Sequence, residues 1–252
     1  MTTMRVEELV ARVAVVTGAL GNLGPVWCSA LADAGMVVIG IDVRPAPAEG
    51  PVRIEQADVR DRAALRSILE LVLREHDAPS VLVNNAGIDF PPTPGGGGQE
   101  ESAFAETLAV NLTGVLNATE IFGAAMCAAG RGSIVNIGSL YASIAPIPAL
   151  YDHLDPPFTK PAAYGASKAA VVNLTRYFAR LWGPYGVRVN ALSPGGMRGD
   201  QDAEFVRKYS ERVPLGRMAE PADLAGPLLF LASDASAYVT GHELRVDGGF
   251  TA

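Results

Sequence analysis

Cysteine is almost absent from this 252-residue chain: Cys28 and Cys127 are the only two. Two cysteines make no disulfide framework at this length, so they read as free thiols of a protein in a reducing cytoplasm. Histidine is nearly as scarce. His76, His153 and His242 have no ligand-like spacing with the cysteines, which disfavours zinc and leaves no metal expected. Positive charge is in deficit, with 20 Lys and Arg against 27 Asp and Glu and a formal net charge of −7. Such a surface repels phosphate backbones and anionic lipid, so neither nucleic acid nor a membrane is an expected partner. Long apolar runs are missing too. No uninterrupted apolar stretch reaches the ~18 residues of a membrane span. The opening MTTMRVEELV does not read as a signal peptide, because its apolar run follows acidic residues and flows into a glycine-rich turn.

What is present is a globular composition, 49% hydrophobic and 19% charged. Short β-branched runs alternate with longer helical stretches. The runs are Val13 to Val16, Val37 to Ile41, Val81 to Val83, Ser133 to Ile137 and Val187 to Ala191, with Glu243 to Val246 as a last edge strand. They are continuous rather than alternating, which suits strands covered on both faces. Helical stretches fall at Leu23 to Ala34, Arg62 to Arg74, Phe104 to Ala129, Ala163 to Trp182 and Ala222 to Ser233. The βαβ rhythm predicts an α/β fold, a Rossmann-type doubly wound parallel sheet flanked by helices. No composition break divides it, so residues 1–252 read as one domain. Two segments interrupt the rhythm. Pro91 to Gly98, PPTPGGGG, reads as loop. The proline-rich stretch Leu140 to Pro161 is a long connection of the kind that is functional or disordered.

The first strand runs into Thr17-Gly18-Ala19-Leu20-Gly21-Asn22-Leu23-Gly24. Glycines allow a tight turn and close backbone approach to a pyrophosphate, and the next helix aims its first amides at that anion. Asp42 ends the second strand, with Val43 after it. A carboxylate there accepts hydrogen bonds from an adenosine ribose and repels a 2′-phosphate, which favours NAD over NADP. Arg44 is near enough to reach such a phosphate. Asp58-Val59 and Asn84-Asn85-Ala86-Gly87 also sit at carboxyl ends of strands, where open α/β sheets place ligands.

Tyr164-Gly165-Ala166-Ser167-Lys168 opens a long helix, and positions i and i+4 share one face. A free phenol has a pKa of about 10; lowering it to about 7 corresponds to roughly 4 kcal/mol, which a neighbouring ammonium in a cleft can supply. With the glycine turn, Asn-Asn-Ala-Gly, Ser139 after a strand and Ser193-Pro194-Gly195 after another, the chain resembles the short-chain dehydrogenase/reductase family from Val13 to Gly249. The resemblance implies that Tyr164 is the general acid/base and that Lys168 lowers its pKa and binds the nicotinamide ribose. It implies that Ser139 hydrogen-bonds the substrate oxygen and that Asn111 holds a water in a proton relay to Lys168. It further implies that Asn85, Ala86 and Gly87 line the cofactor, Asp58 and Val59 border the adenine, and Pro194, Gly195 and Met197 meet the nicotinamide end. A homotetramer, or less often a dimer, is implied as well, and the apolar segment Val246 to Phe250 suits a subunit contact.

The chain departs from the family pattern in three places. Asn22 stands where the common turn has its middle glycine, with Gly21 one position earlier; Asn accepts positive φ better than most residues. No Thr follows Pro194-Gly195 in Gly196-Met197-Arg198-Gly199. The connection from Ser139 to Tyr164 is longer than usual. Both its ends lie at the predicted reaction centre, and it carries Tyr141, Tyr151, Asp152, His153, Asp155 and Lys160, a set suited to a hydroxylated or charged small substrate. Asp200 to Arg212 reads as a charged amphipathic helix able to act as a lid. The expectation is an NAD-dependent oxidoreductase interconverting a secondary alcohol and a ketone on a sugar, polyol or hydroxy acid. The alternatives are a 3-oxoacyl thioester reductase, disfavoured by the acidic balance, and a nucleotide-binding sensor without turnover, disfavoured by the intact Ser139, Tyr164, Lys168 and Asn111.

Overall fold

The continuous apolar runs become strands with both faces covered. In the computed structural model, which describes residues 9–46, 50, 52–90, 100–155 and 160–252, β1 (Val13–Thr17) and β4 (Val81–Asn84) are buried along their whole length. β2 (Val37–Asp42), β3 (Arg53–Gln56), β5 (Gly132–Ile137), β6 (Val187–Pro194) and β7 (Glu243–Val246) complete a seven-stranded sheet, ordered β3-β2-β1-β4-β5-β6-β7. Every pairing is parallel. β3 is absent from the apolar runs because it is a polar edge strand, half-exposed as Arg-Ile-Glu-Gln. β6 continues three residues beyond the predicted Ala191, as far as Pro194. The strand order changes direction between β1 and β4, so their carboxyl ends form the crevice where open α/β sheets bind ligands. The Pro91 to Gly98 stretch lies outside the described residues, as do residues 156–159 of the connection before Tyr164.

Helices cover both faces. α1 (Gly24–Asp33) and α7 (Pro221–Ala232) pack on one side, where Trp27, Leu31, Leu224 and Leu228 meet Val16 and Val83. α2 (Arg62–Glu75), α4 (Val115–Ala128) and α5 (Ala162–Trp182) pack on the other, bringing Leu65, Phe122 and Phe178 against Val15 and Leu82. Asp61 starts α2 by accepting from the amides of Ala63 and Ala64 at 2.8 and 3.1 Å, and so satisfies donors a helix start leaves open.

The single helix expected from Phe104 to Ala129 is instead α3 (Glu101–Leu108), a π-helical turn at Ala109–Gly114, and α4. The wider turn carries Asn111 inward, fully buried, and such turns favour functional positions. By length and composition this run could cross a membrane; half of its most apolar window is buried inside the protein.

A third cluster roofs the carboxyl ends of the strands. It joins Leu140, Leu150 and Tyr151 of the long connection to Tyr209, Val213 and Met218 in and after α6 (Ala203–Ser210). The two lid candidates of the sequence are therefore one packed unit.

Candidate active site

The glycine turn closes with Gly18 at φ +64°, and the Gly21 amide donates to the Gly18 carbonyl at 3.0 Å. A Cβ on Gly18 would lie 2.7 Å from the Ala86 Cα, so only glycine fits here. Asn22 does not adopt positive φ; Gly18 alone supplies the left-handed step, and the shifted glycine does not disturb the turn. The turn is braced from β4. Asn85 donates to the Gly18 carbonyl at 2.8 Å and accepts from the Trp27 indole at 2.8 Å. The Thr17 hydroxyl accepts from the amides of Asn85 and Ala86, each at 3.1 Å. α1 begins beside this turn with no side-chain cap on its first amides, which leaves them for an anion.

Asp42 is buried at the rim of the same crevice. It accepts from the Leu20 amide at 2.9 Å and from Arg44 Nε at 2.9 Å and Nη2 at 3.2 Å. Burial alone would push its carboxyl up, but the bonds from Arg44 and Leu20 outweigh this and hold it below its ordinary value. Arg44, the candidate phosphate ligand, is thus turned onto Asp42. Asp58 is paired with Arg60 at 2.6 Å, and Val59 packs on the π turn, where a Gly114 Cβ would lie 2.4 Å from it. Val43 is exposed on the rim.

From these residues one cleft of about 820 Å³ runs along the switch point to Tyr164. Gly18, Gly21, Asn22, Leu23, Asp42, Val43, Asp58, Val59, Asn85, Ala86 and Gly87 line one part of it. Ser139, Tyr164, Lys168, Pro194, Gly195 and Met197 line the other. Gly24 sits beneath the turn, and a Cβ there would lie 2.3 Å from the Gly18 carbonyl. Asn111 is behind the wall. Its side chain accepts from the Ile88 amide at 2.7 Å and donates to the Ile88 carbonyl at 2.9 Å and to Ser167 at 3.1 Å.

At the reaction end, Ser139 follows β5 and starts a short 3-10 turn by accepting from the Tyr141 amide at 3.2 Å. The Lys168 ammonium donates to the Ile137 carbonyl at 2.8 Å and stands 5.7 Å from the centre of the Tyr164 ring. Burial pushes the Tyr164 phenol up to about 12, with the charge of Asp89 adding to it and a hydrogen bond with Ser139 opposing it. Burial drives Lys168 the other way, down to about 8. The sequence predicts that Lys168 depresses the phenol; burial acts in the opposite sense, raising the phenol and lowering the ammonium.

Several participants escaped the sequence reading. Asp89 faces the cleft and pairs with Lys160. Tyr209 of α6 accepts from the Gly196 amide and latches the roof to the Pro194-Gly195 turn. Gln201 holds that turn by donating to the Met197 carbonyl at 2.9 Å. Thr17 and Trp27 brace the glycine turn. Hydrophobic periodicity hides these roles; the i, i+4 spacing of Phe205 and Tyr209 on α6 is the one signal in the sequence that could have pointed to Tyr209.

A doubly wound parallel sheet with this cleft at its switch point defines a class, the dinucleotide-dependent oxidoreductases. The model of the family described as enoyl-(acyl carrier protein) reductase matches residues 18–251. A galactitol 2-dehydrogenase (L-tagatose-forming) of Cereibacter sphaeroides is 37% identical, with 94% of each chain covered. A short-chain dehydrogenase of Leptospira borgpetersenii with bound NAD+ superposes with a TM-score of 0.89 at 31% identity, covering 100% of this chain and 97% of the other. A gluconate 5-dehydrogenase of Burkholderia cenocepacia in complex with NADP and tartrate superposes at 0.85 with 29% identity over 98% of both chains. The chain belongs to the short-chain dehydrogenase/reductase family and is an oxidoreductase acting on a CH–OH group.

Proposed function

We propose that the protein is an NAD-dependent dehydrogenase that interconverts a secondary alcohol and a ketone on a small polyhydroxy substrate. The observation that carries this is the continuity of the cleft, with Asp42 in one part and Ser139, Tyr164 and Lys168 gathered in the other.

The residues present fit a dinucleotide. The uncapped start of α1 and the Gly18 turn suit its pyrophosphate, and Asp42 suits the adenosine ribose. Asp58 and Val59 would border the adenine; Asn85, Ala86 and Gly87 line the middle. Pro194, Gly195 and Met197 suit the nicotinamide, and Lys168 its ribose. NAD+ held there would supply the hydride acceptor. Arg44 is held by Asp42 through two guanidinium nitrogens, so a 2′-phosphate would have to break that pair and face the carboxylate. This supports NAD over NADP.

In the oxidative direction Tyr164, as phenolate, takes the hydroxyl proton while hydride leaves the carbinol carbon. Ser139 and Tyr164 hold the oxygen as its charge develops, and the ketone results. In reduction Tyr164 returns that proton. Asn111 fixes Ile88, and with it the wall beside Lys168. The galactitol relative supports a polyol as substrate. We also read the protein as a homo-oligomer, a tetramer rather than a dimer as the family resemblance implies; Tyr177, Leu181 and Tyr185 form an exposed apolar stripe along α5 and the turn after it that suits a subunit contact. The deciding experiment is a panel of alditols, ketoses and hydroxy acids followed by nicotinamide absorbance with NAD and with NADP. Turnover with NAD is expected; a clear preference for NADP would contradict the reading of Asp42.

A further inference from the structure

Asp89 and Lys160 lie 71 residues apart in the chain and meet on the cleft wall beside the reacting phenol. Asp89 follows Ile88, whose amide and carbonyl are both held by Asn111, so its backbone is fixed. Lys160 sits just ahead of α5, and its ammonium lies 5.5 Å from the Tyr164 ring centre and 5.9 Å from that of Tyr141. The two side chains remain 24% and 26% exposed, opening into the cleft. The pair is thus mostly buried yet keeps an edge open to the cleft. Its position, with one face toward the cleft, makes it a recognition element.

We infer that the Asp89–Lys160 pair selects a neutral polyhydroxy alcohol over the sugar acid of the same carbon skeleton. The inference rests on the dehydrogenase reading above. A hydroxyl both donates and accepts, so one or two substrate hydroxyls can bond to Asp89 and Lys160 without breaking the pair. A carboxylate only accepts. It could use only a spare N–H of Lys160 and would then lie beside Asp89, a like-charge contact. Among the described residues, no other cation lining the cleft is placed to serve it. Lys168 is buried and donates to Ile137. The arginines that line the cleft, Arg44 and Arg60, are paired with Asp42 and Asp58.

The test is steady-state kinetics with galactitol and galactonate on the wild type, Asp89→Asn and Lys160→Gln. The wild type is expected to favour galactitol in kcat/KM by about 100-fold or more, the scale of a like-charge contact in a binding site. D89N frees Lys160 for a carboxylate. It should raise the galactitol KM about tenfold and improve galactonate turnover. K160Q should weaken both substrates and remove any residual galactonate turnover. Opposite effects of the two variants on galactonate separate recognition from a structural role, which would depress both substrates in both variants. The alkaline charge balance gives a second readout. Asp89 raises the phenol and the ammonium of Lys168, so in D89N the acid limb of the oxidation profile should move to lower pH. A wild type that oxidises galactonate as well as galactitol, or a D89N variant with galactitol KM within twofold of wild type, would overturn the inference and leave the dehydrogenase reading intact. No turnover of any alcohol with either cofactor would overturn both.

Discussion

Burial acts on Tyr164 and Lys168 in opposite senses, raising the phenol to about 12 and lowering the ammonium to about 8. Alcohol oxidation needs the phenolate, so its kcat/KM should climb with pH across the alkaline range. Ketone reduction needs the phenol and should hold its rate until much higher pH. Opposed pH profiles for the two directions would bear this out, and a flat oxidation profile from pH 6 to 10 would not. Lys168 also carries a stability consequence. Its folded value lies below the ordinary 10.5, so between about 8 and 10.5 the unfolded chain binds more protons and stability rises with pH. Replacing Lys168 by Met removes a buried charge. Turnover should vanish while the thermal midpoint rises by about 2–5 °C, a gain on the order of 1 kcal/mol. At the other end of the cleft, Asp42→Ala should weaken NAD and free Arg44. Its NADP-to-NAD ratio of kcat/KM should rise about tenfold or more. Asp42 was legible because it ends an apolar run, and Tyr164 with Lys168 because their i, i+4 spacing opens a helix. Asp89 was not, because its meaning comes from Lys160, which only the fold brings near.

Elements were legible in proportion to their burial. β1, β2, β4, β5 and β6 are covered on both faces, and such strands read as unbroken apolar runs. β3 is a half-exposed edge strand with a polar sequence, so no run announced it. The π turn at Ala109–Gly114 was hidden because the flanking residues keep helical periodicity on both sides of it. The roof over the reaction end was read as two separate lids. Its unity comes from contacts across 49 to 56 positions. Lys208 pairs with Asp152 and lies 3.3 Å from His153 Nδ1, while His153 Nε2 is 2.9 Å from Asp202, the residue that caps α6. The roof is latched to the site by the Tyr209 hydroxyl. Tyr209→Phe keeps the ring stack with Phe250 and loses only the bond to Gly196. Substrate KM should rise about three- to tenfold with NAD affinity little changed, consistent with ~1 kcal/mol for one hydrogen bond. An unchanged KM would show that the latch does not shape the substrate pocket. A buried polar thread is a second element-scale feature. Asn84 donates to Asn136 at 2.8 Å, and Asn136 to Thr175 at 2.9 Å, tying β4, β5 and α5 together behind the cleft.

At the scale of the whole molecule, the sheet fixes the distance between cofactor recognition and chemistry, and the roof closes one end. The acidic charge balance leaves the outer surface to solvent, yet α5 keeps Tyr177 and Leu181 exposed at helical spacing. Phe250, at the end of the segment the sequence offered as a subunit contact, stacks on Tyr209 within its own chain, with ring centres 4.7 Å apart. The α5 stripe is a second interface candidate. Leu181→Arg with Tyr177→Asp should shift the mass measured by light scattering from an oligomer towards the monomer; an unchanged mass would place the interface elsewhere. We assign to Tyr164 the proton transfer of the proposed NAD-dependent polyol oxidation. The direct measurement is Tyr164→Phe assayed for galactitol oxidation and, in parallel, for NAD binding by fluorescence titration. Turnover should fall at least about 10²-fold with NAD affinity nearly unchanged. Turnover within a few-fold of the wild type would rule out that role for Tyr164.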